Sequence, residues 1–385
     1  MKRSTDRILT THAGSLPYPD DNPPGNDDEL RTAVADVVAL QHELGIDLVN
    51  EGEYTKGGDW LSFADDRFAG FEITDASGEK PLIAQGKDRE EFDAFYRYAT
   101  ERGTLFYTAG GQVSPRRMRW VCTDVISYAG HEQLRREIEI LRACDPREDA
   151  FLTSTAPASL EVYRGNAYYH DDVEYLYALA DALRVEYELI VDAGFVLQVD
   201  DAWLPALWDR IGIEMGLEAF RERCRVRVQA LNHALANIPE DRIRYHMCWG
   251  SWHGPHAHDL ELVHLVDILL EVRAQAYLIE GANAATSTSG RCGGTCDCPR
   301  ERSSCRASSR TRRTSSSTPT WSRSGSNGSR RSSAPRTSSP GPTAASVGAR
   351  IPRSPGRSCG RSRRARREHP RAWDNRLNRK STTHP

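Results

Sequence analysis

The chain has 385 residues and a formal net charge of −3, and this length suits one large barrel or two ordinary domains. It has no hydrophobic run long enough to cross a bilayer and no signal-peptide pattern after Lys2 and Arg3, so a cytoplasmic location is expected. The nine cysteines are odd in number and irregularly spaced, which argues against a disulfide framework.

The first segments of the chain predict two strands around a helix. Residues 7–12 and 47–50 are short apolar runs that predict strands. Residues 27–44 predict a helix, because apolar residues recur at helical spacing after a cap at Asn26 or Asp27.

An irregular region precedes a regular one. Residues 54–149 predict an insertion-rich stretch with short helices, a hairpin, extended segments at 119–123 and 125–128, and a helix over 131–143. Beyond it, strands are predicted over 150–154, 195–200, 242–248 and 276–280, and helices over 172–193, 217–236 and 260–272. Repeated strand–helix units imply a parallel sheet with helical crossovers.

Polar side chains stand at or just after the carboxyl ends of the predicted strands: Ser15, Glu53, Asp200, Asp201, His246, Cys248 and Glu280. In a (β/α)8 barrel these ends converge on the active-site mouth, so the sequence predicts an α/β fold of the TIM-barrel type. An acidic residue after a strand can also cap the next helix, and for Asp201 both interpretations stay open. No helical run follows Glu53 or Glu280, which favours a functional role for both.

Two of these strands end in side chains that can bind a metal. His246 and Cys248 are two residues apart, so they project from the same face of an extended strand. With the Glu280 carboxylate they form a borderline-soft donor set that suits zinc. The alternative is structural, since a lone Cys is more often a small buried hydrophobe. We interpret the set as a Zn²⁺ site that activates a thiol.

Five segments together resemble the catalytic barrel of cobalamin-independent methionine synthases, of the short single-barrel type. They read Thr-Thr-His-Ala-Gly-Ser-Leu-Pro (10–17), Val-Asn-Glu-Gly-Glu (49–53), Leu-Gln-Val-Asp-Asp (197–201), His-Met-Cys (246–248) and Ile-Glu-Gly (279–281). No segment is specific alone, but all five follow in the right order at strand ends. The match covers about residues 7–285.

The resemblance implies a site and a reaction. The implied zinc ligands are His246, Cys248 and Glu280. The residues implied to hold the amino-acid part of a homocysteine-like thiol are Ser15, Glu53 and Asp200, with Asp200 as the candidate catalytic residue. Zinc would lower the pKa of that thiol, and the thiolate would take a methyl group from a methyltetrahydrofolate-type donor, as in methionine biosynthesis.

The chain departs from the family pattern near this site. Residues 200–202 read Asp-Asp-Ala where the family usually has Asp-Glu-Pro, which is expected to alter the amino-acid pocket. The loop over 249–258 is lengthened and carries three histidines, His253, His256 and His258. They are either extra ligands and proton carriers or, as the simpler interpretation, solvated loop residues.

The C-terminal segment differs in composition from the rest. Residues 286–385 hold 23 Lys and Arg against 4 Asp and Glu, whereas residues 1–285 hold 28 against 50. The segment has one Leu, one Ile and one Val, so it cannot bury enough apolar surface to offset its ordering entropy and is expected to be disordered. The resemblance implies two more strands after Glu280, which carry a general-acid histidine and a fourth zinc ligand, Cys. Residues 286–385 contain no segment that matches either strand.

We interpret this segment as the product of a frameshift close to residue 285. Residues 308–321 and 338–348 admit synonymous codons that, displaced by two bases, read like the missing family segments. The predicted domains are then a barrel over 1–285 lacking its last two strands and a disordered Ser/Arg/Pro-rich tail over 286–385. Open sheet edges and an incomplete zinc site would follow, and these would weaken or abolish the activity of a chain with an enzymatic ancestry.

Two other functions stay open beside methyl transfer between small molecules. A relative could transfer another alkyl group to another thiol, as an epoxide-opening coenzyme M transferase does. The basic tail could bind nucleic acid, which predicts salt-sensitive DNA binding that is lost when residues 286–385 are deleted. Nucleic acid is the least favoured partner, and no membrane partner is expected.

Overall fold

The computed structural model describes residues 1–19, 22–57, 62–75, 82–102, 118–146, 149–250 and 254–280. The predicted tail, its frameshift origin and His253 lie outside these ranges, so those interpretations stay predictions. Within them the chain forms a mixed α/β fold, and no described helix is long and apolar enough to cross a membrane.

Strands and helices alternate through the second half of the described chain. The strands are β1 Phe68–Asp75, β2 Met118–Tyr128, β3 Phe151–Thr155, β4 Arg164–Asn166, β5 Val196–Asp201, β6 Ile243–Met247 and β7 Ala276–Ile279. The α-helices are α1 Asp27–Glu43, α2 Lys87–Glu91, α3 Asp93–Glu101, α4 His131–Ala143, α5 Pro157–Tyr163, α6 Asp172–Asp192, α7 Trp203–Leu207, α8 Ile213–Met215, α9 Leu217–Ala234 and α10 Val266–Leu269. A π-helical turn, Trp208–Gly212, lies between α7 and α8.

A parallel sheet of β3, β5, β6 and β7, in that order, organises the fold. Two predicted strands lie beside it: the Phe151 N–H donates to the Val49 carbonyl at 3.0 Å, and Thr11 forms an isolated parallel bridge with Leu48. The four-stranded parallel sheet and the helices between its strands confirm the α/β class. In the described residues the sheet does not close, and the eight-stranded barrel stays a prediction.

The insertion builds a second, smaller sheet. β1 and β2 pair antiparallel, but α2 and α3 lie between them along the chain, so this pair is not the predicted hairpin. β4 lies parallel to β2 on its other side. The sequence did not predict β4, because three residues are too few for a recognisable strand pattern.

Helix α1 begins where the sequence predicts. The Asn26 side chain accepts a hydrogen bond from the Glu29 N–H at 3.0 Å, so one first-turn amide has a partner. Val34 and Val38 are buried in the core, and Gly45 ends the helix with a φ of 75°. The cap and the apolar spacing together fix the helix.

Replacing Asn26 with alanine should lower the free energy of unfolding by about 1 kcal/mol, because the first turn loses its side-chain acceptor. Urea unfolding followed by circular dichroism measures the change. The matched control, Asn26→Asp, keeps the acceptor and should stay within a few tenths of a kcal/mol of the parent. An alanine variant as stable as the parent would show that this cap contributes nothing.

One predicted helix is wrong. Residues 260–272 form a 3₁₀ turn, Leu262–His264, and the four-residue helix α10 instead of one continuous helix. The apolar spacing in this stretch is real, since Leu262, Leu265 and Leu269 are all buried, but two short turns bury them as well as a helix would. Periodicity alone does not separate these two outcomes.

Candidate functional site

The candidate site lies on one face of the parallel sheet. The backbone register aligns Thr155, Asp200 and His246 across β3, β5 and β6, with Thr153 and Gln198 paired one step earlier. Alternate residues of a strand point to the same face, so these polar side chains share it. Their neighbours along the strands point to the opposite face, where Leu152, Leu197, Val199 and Met247 belong to the main core and Ser154 and Asp201 are also buried.

Glu53 reaches this face from a tight turn. Its φ of 59° is left-handed, a conformation that costs a residue other than glycine about 1–3 kcal/mol. Ser15 donates its hydroxyl to Glu53 Oε2, and Thr153 donates to Glu53 Oε1 at 2.7 Å. Gly14 makes the close approach possible, because a Cβ there would lie 2.5 Å from Oε1. Predicted residues Ser15 and Glu53 are therefore in direct contact.

Glu53 and Asp200 form a buried carboxylate pair. Burial, followed by the charge of Asp200, raises the pKa of Glu53 to about 7, although Lys56 and the bonds from Ser15 and Thr153 act in the opposite direction. Near neutral pH the Glu53 carboxyl can therefore gain or lose a proton. A cation placed between the two groups would favour the ionised form of both.

Asp200 connects this pair to His246. Gln198 Nε2 donates to Asp200 Oδ1 at 2.7 Å and also to the Ala13 carbonyl. Asp200 Oδ1 lies 2.8 Å from His246 Nδ1. A carboxylate on one ring nitrogen is the usual arrangement of a metal-binding histidine, since it fixes the ring and leaves Nε2 for the metal.

Cys248 and Glu280 lie together at the ends of β6 and β7. Cys248 Sγ is 3.8 Å from Glu280 Oε1, and the Gly250 N–H donates to the same sulfur at 3.0 Å. The donor set fits zinc in chemical kind: a thiol, a carboxylate and an imidazole already bonded to a carboxylate. Across the described ranges, however, no three His, Cys, Asp or Glu side chains are arranged to hold one ion.

Asp201 has a structural role. It follows Asp200 and so points to the opposite face of β5, where it accepts hydrogen bonds from Ser159 at 3.2 Å and Tyr245 at 2.9 Å. Burial raises the pKa of Asp201 to about 6, and these bonds oppose that rise. The effect of the departure over residues 200–202 on the amino-acid pocket stays a prediction.

The described loop histidines contact carboxylates. His256 Nδ1 lies 2.9 Å from Asp259 Oδ2, three residues along the chain, and His258 Nε2 lies 2.6 Å from Glu91 Oε2 on α2. The contact of His258 connects the loop after β6 to the insertion. The two interpretations drawn from sequence, extra ligands and proton carriers or solvated side chains, stay predictions.

The comparisons with known proteins give a structural likeness. The first structure, assigned as a vitamin B12-independent methionine synthase from Listeria monocytogenes, is 18% identical, with a TM-score of 0.46 over 71% of this chain and 73% of that one. The second is a B12-independent methionine synthase from Shewanella sp. W3-18-1 in complex with selenomethionine, 15% identical, with a TM-score of 0.39 over 63% and 62%. No protein-family model and no curated protein matches the chain.

Sequence reasoning missed Thr153 and Gln198. Both hold site carboxylates by direct hydrogen bonds, and both are almost fully buried. Each is a polar residue within a fully buried strand: Gln198 stands between Leu197 and Val199, and Thr153 stands between Leu152 and Ser154. Because buried polar side chains are usually hydrogen-bonded, such a position is a detectable signal for a site residue.

Proposed function

We propose that this chain is a zinc-dependent methyltransferase that moves a methyl group from a methyltetrahydrofolate-type donor to a homocysteine-like thiol. One observation carries the proposal: the buried pair Glu53 and Asp200 shares a sheet face with His246, and Cys248 lies beside Glu280 at the adjacent strand ends. This arrangement offers a cation-binding end and a sulfur-binding end in one site.

The carboxylate pair would bind the ammonium group of the acceptor. Burial makes an uncompensated carboxylate unfavourable, so an ammonium between Glu53 and Asp200 would stabilise both ionised forms. Glu53 would then release its proton on binding. Ser15 and Thr153 fix the direction of the Glu53 oxygens, so the acceptor would be oriented as well as bound.

The other end of the site would hold the metal and the reacting sulfur. His246, Cys248 and Glu280 would be the zinc ligands, with Asp200 fixing the His246 ring through Nδ1. Bound zinc supplies charge that lowers the pKa of the acceptor thiol, giving a thiolate at neutral pH. The acceptor sulfur would form its bond to the methyl carbon while the bond from that carbon to the donor nitrogen breaks, and the donor nitrogen would take up one proton from solvent in place of the proton that the thiol releases.

The same pair disfavours the coenzyme M alternative. Coenzyme M carries a sulfonate and no ammonium group, so two buried carboxylates would repel it. A thiol screen with labelled methyltetrahydrofolate tests this directly. Methylated homocysteine is the expected product, and turnover with coenzyme M alone would refute the acceptor class.

Replacing Cys248 with alanine should lower zinc affinity by at least about 100-fold, more than an outer-shell substitution costs. Competition with a chromophoric chelator measures the affinity. Every variant should carry serine at the five cysteines of the C-terminal segment, which could chelate zinc by accident: Cys292, Cys296, Cys298, Cys305 and Cys359. Cys224→Ala, at a buried thiol in α9, is the matched control and should leave zinc affinity unchanged. Equal affinities of both variants would remove Cys248 from the ligand set.

A further inference from the structure

The turn that carries Glu53 is anchored through Lys56. Glu53 is followed by a 3₁₀ turn, Tyr54–Lys56, and the Lys56 N–H donates to the Glu53 carbonyl at 3.0 Å. Gly52 and Gly57 on either side also have left-handed backbones, with φ of 71° and 69°. Glycine adopts this conformation freely, but Glu53 is strained by it, and a strained residue persists only where the surrounding structure fixes it.

The anchor is a buried ion pair. Lys56 Nζ lies 3.2 Å from Glu51 Oε1 and 3.3 Å from Glu137 Oε2 on α4, and the Lys56 side chain is fully buried. Thr55 also donates its hydroxyl to Glu51 Oε1 at 3.2 Å. The ammonium therefore connects both ends of the turn to a helix of the main core.

The ion pairs continue to the other face of β3. Arg67 bonds to Glu137 and, at 3.0 Å, to Glu186 Oε2 on α6. Ser154 donates to Glu186 Oε1 at 2.7 Å. Its neighbour Thr153 bonds to Glu53 on the opposite face of the strand. A closed circuit of charged and hydrogen-bonded groups thus runs from Glu53 through Lys56 and back to β3.

We propose that Lys56 is a positioning residue for Glu53, which holds the carboxylate at the acceptor site through this circuit. The inference rests on the proposed function, in which Glu53 binds the acceptor's ammonium group. The Lys56 ammonium contacts Glu51 and Glu137, so it would touch neither acceptor nor metal. It fixes the turn, and its positive charge opposes the effect of the Asp200 charge on the Glu53 carboxyl.

The electrostatic part of the role follows from the groups around Glu53. Asp200 faces it from β5, Ser15 and Tyr18 from the first loop, and Thr153 from β3. Asp200 raises the pKa of Glu53, whereas Lys56 lowers it. Without Lys56 the carboxyl should hold its proton to a higher pH and bind cations less well.

The test uses the full chain with Lys56 and Glu51 replaced together. Lys56→Met alone would leave buried carboxylates without a counter-charge and could prevent folding, whereas Lys56→Met with Glu51→Gln removes one charge of each sign. The Glu53 titration is read by NMR of ¹³C-labelled glutamate carboxyls, assigned with Glu53→Gln. Homocysteine affinity at pH 7 is measured by calorimetry.

The double variant should raise the Glu53 midpoint by at least about one pH unit. The carboxyl is then ionised to about one tenth rather than about one half at pH 7, so homocysteine binding should weaken about fivefold. The single variant Lys56→Arg keeps the charge and should have the Glu53 midpoint and the homocysteine affinity of the parent. The matched control, Arg210→Met with Asp209→Asn, removes an equally buried pair and should change neither.

The outcomes separate this inference from the proposed function. The positioning role is overturned if the folded double variant has the same Glu53 midpoint as the parent. It is also overturned if Lys56→Arg shifts the midpoint as the double variant does. If the double variant shifts the Glu53 midpoint but the parent chain does not bind homocysteine, the positioning role is supported and the proposed acceptor is refuted.

Discussion

Replacing Arg67 with methionine should lower the free energy of unfolding at pH 7 by about 3–5 kcal/mol, the cost of breaking a buried ion pair by removing one partner. Arg67 is 2% exposed and lies between Glu137 and Glu186, which are 3% and 1% exposed. Lys56 still faces Glu137 in the variant, so Glu186 is the carboxylate left without a cation. Urea unfolding followed by circular dichroism measures the loss.

The decrease in unfolding free energy caused by Arg67→Met should become smaller as the pH falls. Burial tends to raise the pKa of Glu186, but the charge of Arg67 and the hydrogen bond from Ser154 outweigh it and lower the pKa below the ordinary 4.5. An acid with a lowered folded-state pKa stabilises the fold above its unfolded pKa, and this stability is lost only as the pH falls through the folded value. In Arg67→Met the burial of Glu186 is no longer outweighed, so its folded-state pKa lies above the unfolded value instead of below it. The variant therefore recovers stability as the pH falls.

An exposed ion pair gives the matched control. Lys87 and Glu90 lie 3.0 Å apart on α2 with both side chains in solvent. Lys87→Met should leave the unfolding midpoint unchanged, because exposed pairs contribute little. If Arg67→Met behaves like this control, the buried network is not a source of stability.

The sequence predicts best where local signals are strong and agree. Helix α4 spans His131–Ala143, as its periodicity predicts, and α6 and α9 begin at the predicted residues. Short elements were missed for a physical reason. Helix α5 has seven residues and α7 has five, too few for a full apolar period, although Pro157 at the start of α5 is a usable start signal.

The candidate site also contains residues that the sequence predicts and residues that it does not. Strand ends and the resemblance selected six residues, of which Ser15 contacts Glu53, Asp200 contacts His246, and Cys248 lies near Glu280. The anchoring network was beyond sequence reasoning, because its charged members are spread from residue 51 to residue 186. Nothing local distinguishes Glu137 or Glu186 from an ordinary solvated glutamate on a helix, and only packing brings them to one buried place.

Replacing Glu53 with glutamine should stabilise the chain above pH 7 by up to about 3 kcal/mol. The pKa of Glu53 is about 7 in the folded chain and 4.5 for the ordinary group. An acid with a raised folded-state pKa binds its proton more tightly in the folded state, so the parent loses stability as the pH rises through this interval. The slope is about 1.4 kcal/mol per pH unit. Glutamine does not ionise, so the variant lacks this loss.

The difference in unfolding free energy between Glu53→Gln and the parent isolates this contribution. Asp201, whose pKa is raised to about 6, gives both chains the same slope at lower pH, and Asp201→Asn removes it as a control. The difference should grow from about pH 4.5 and level off above pH 7. The same substitution should weaken homocysteine binding, because the site loses a negative charge. A variant that gains stability and keeps its affinity would mean that Glu53 is a buried structural acid rather than a ligand for the acceptor.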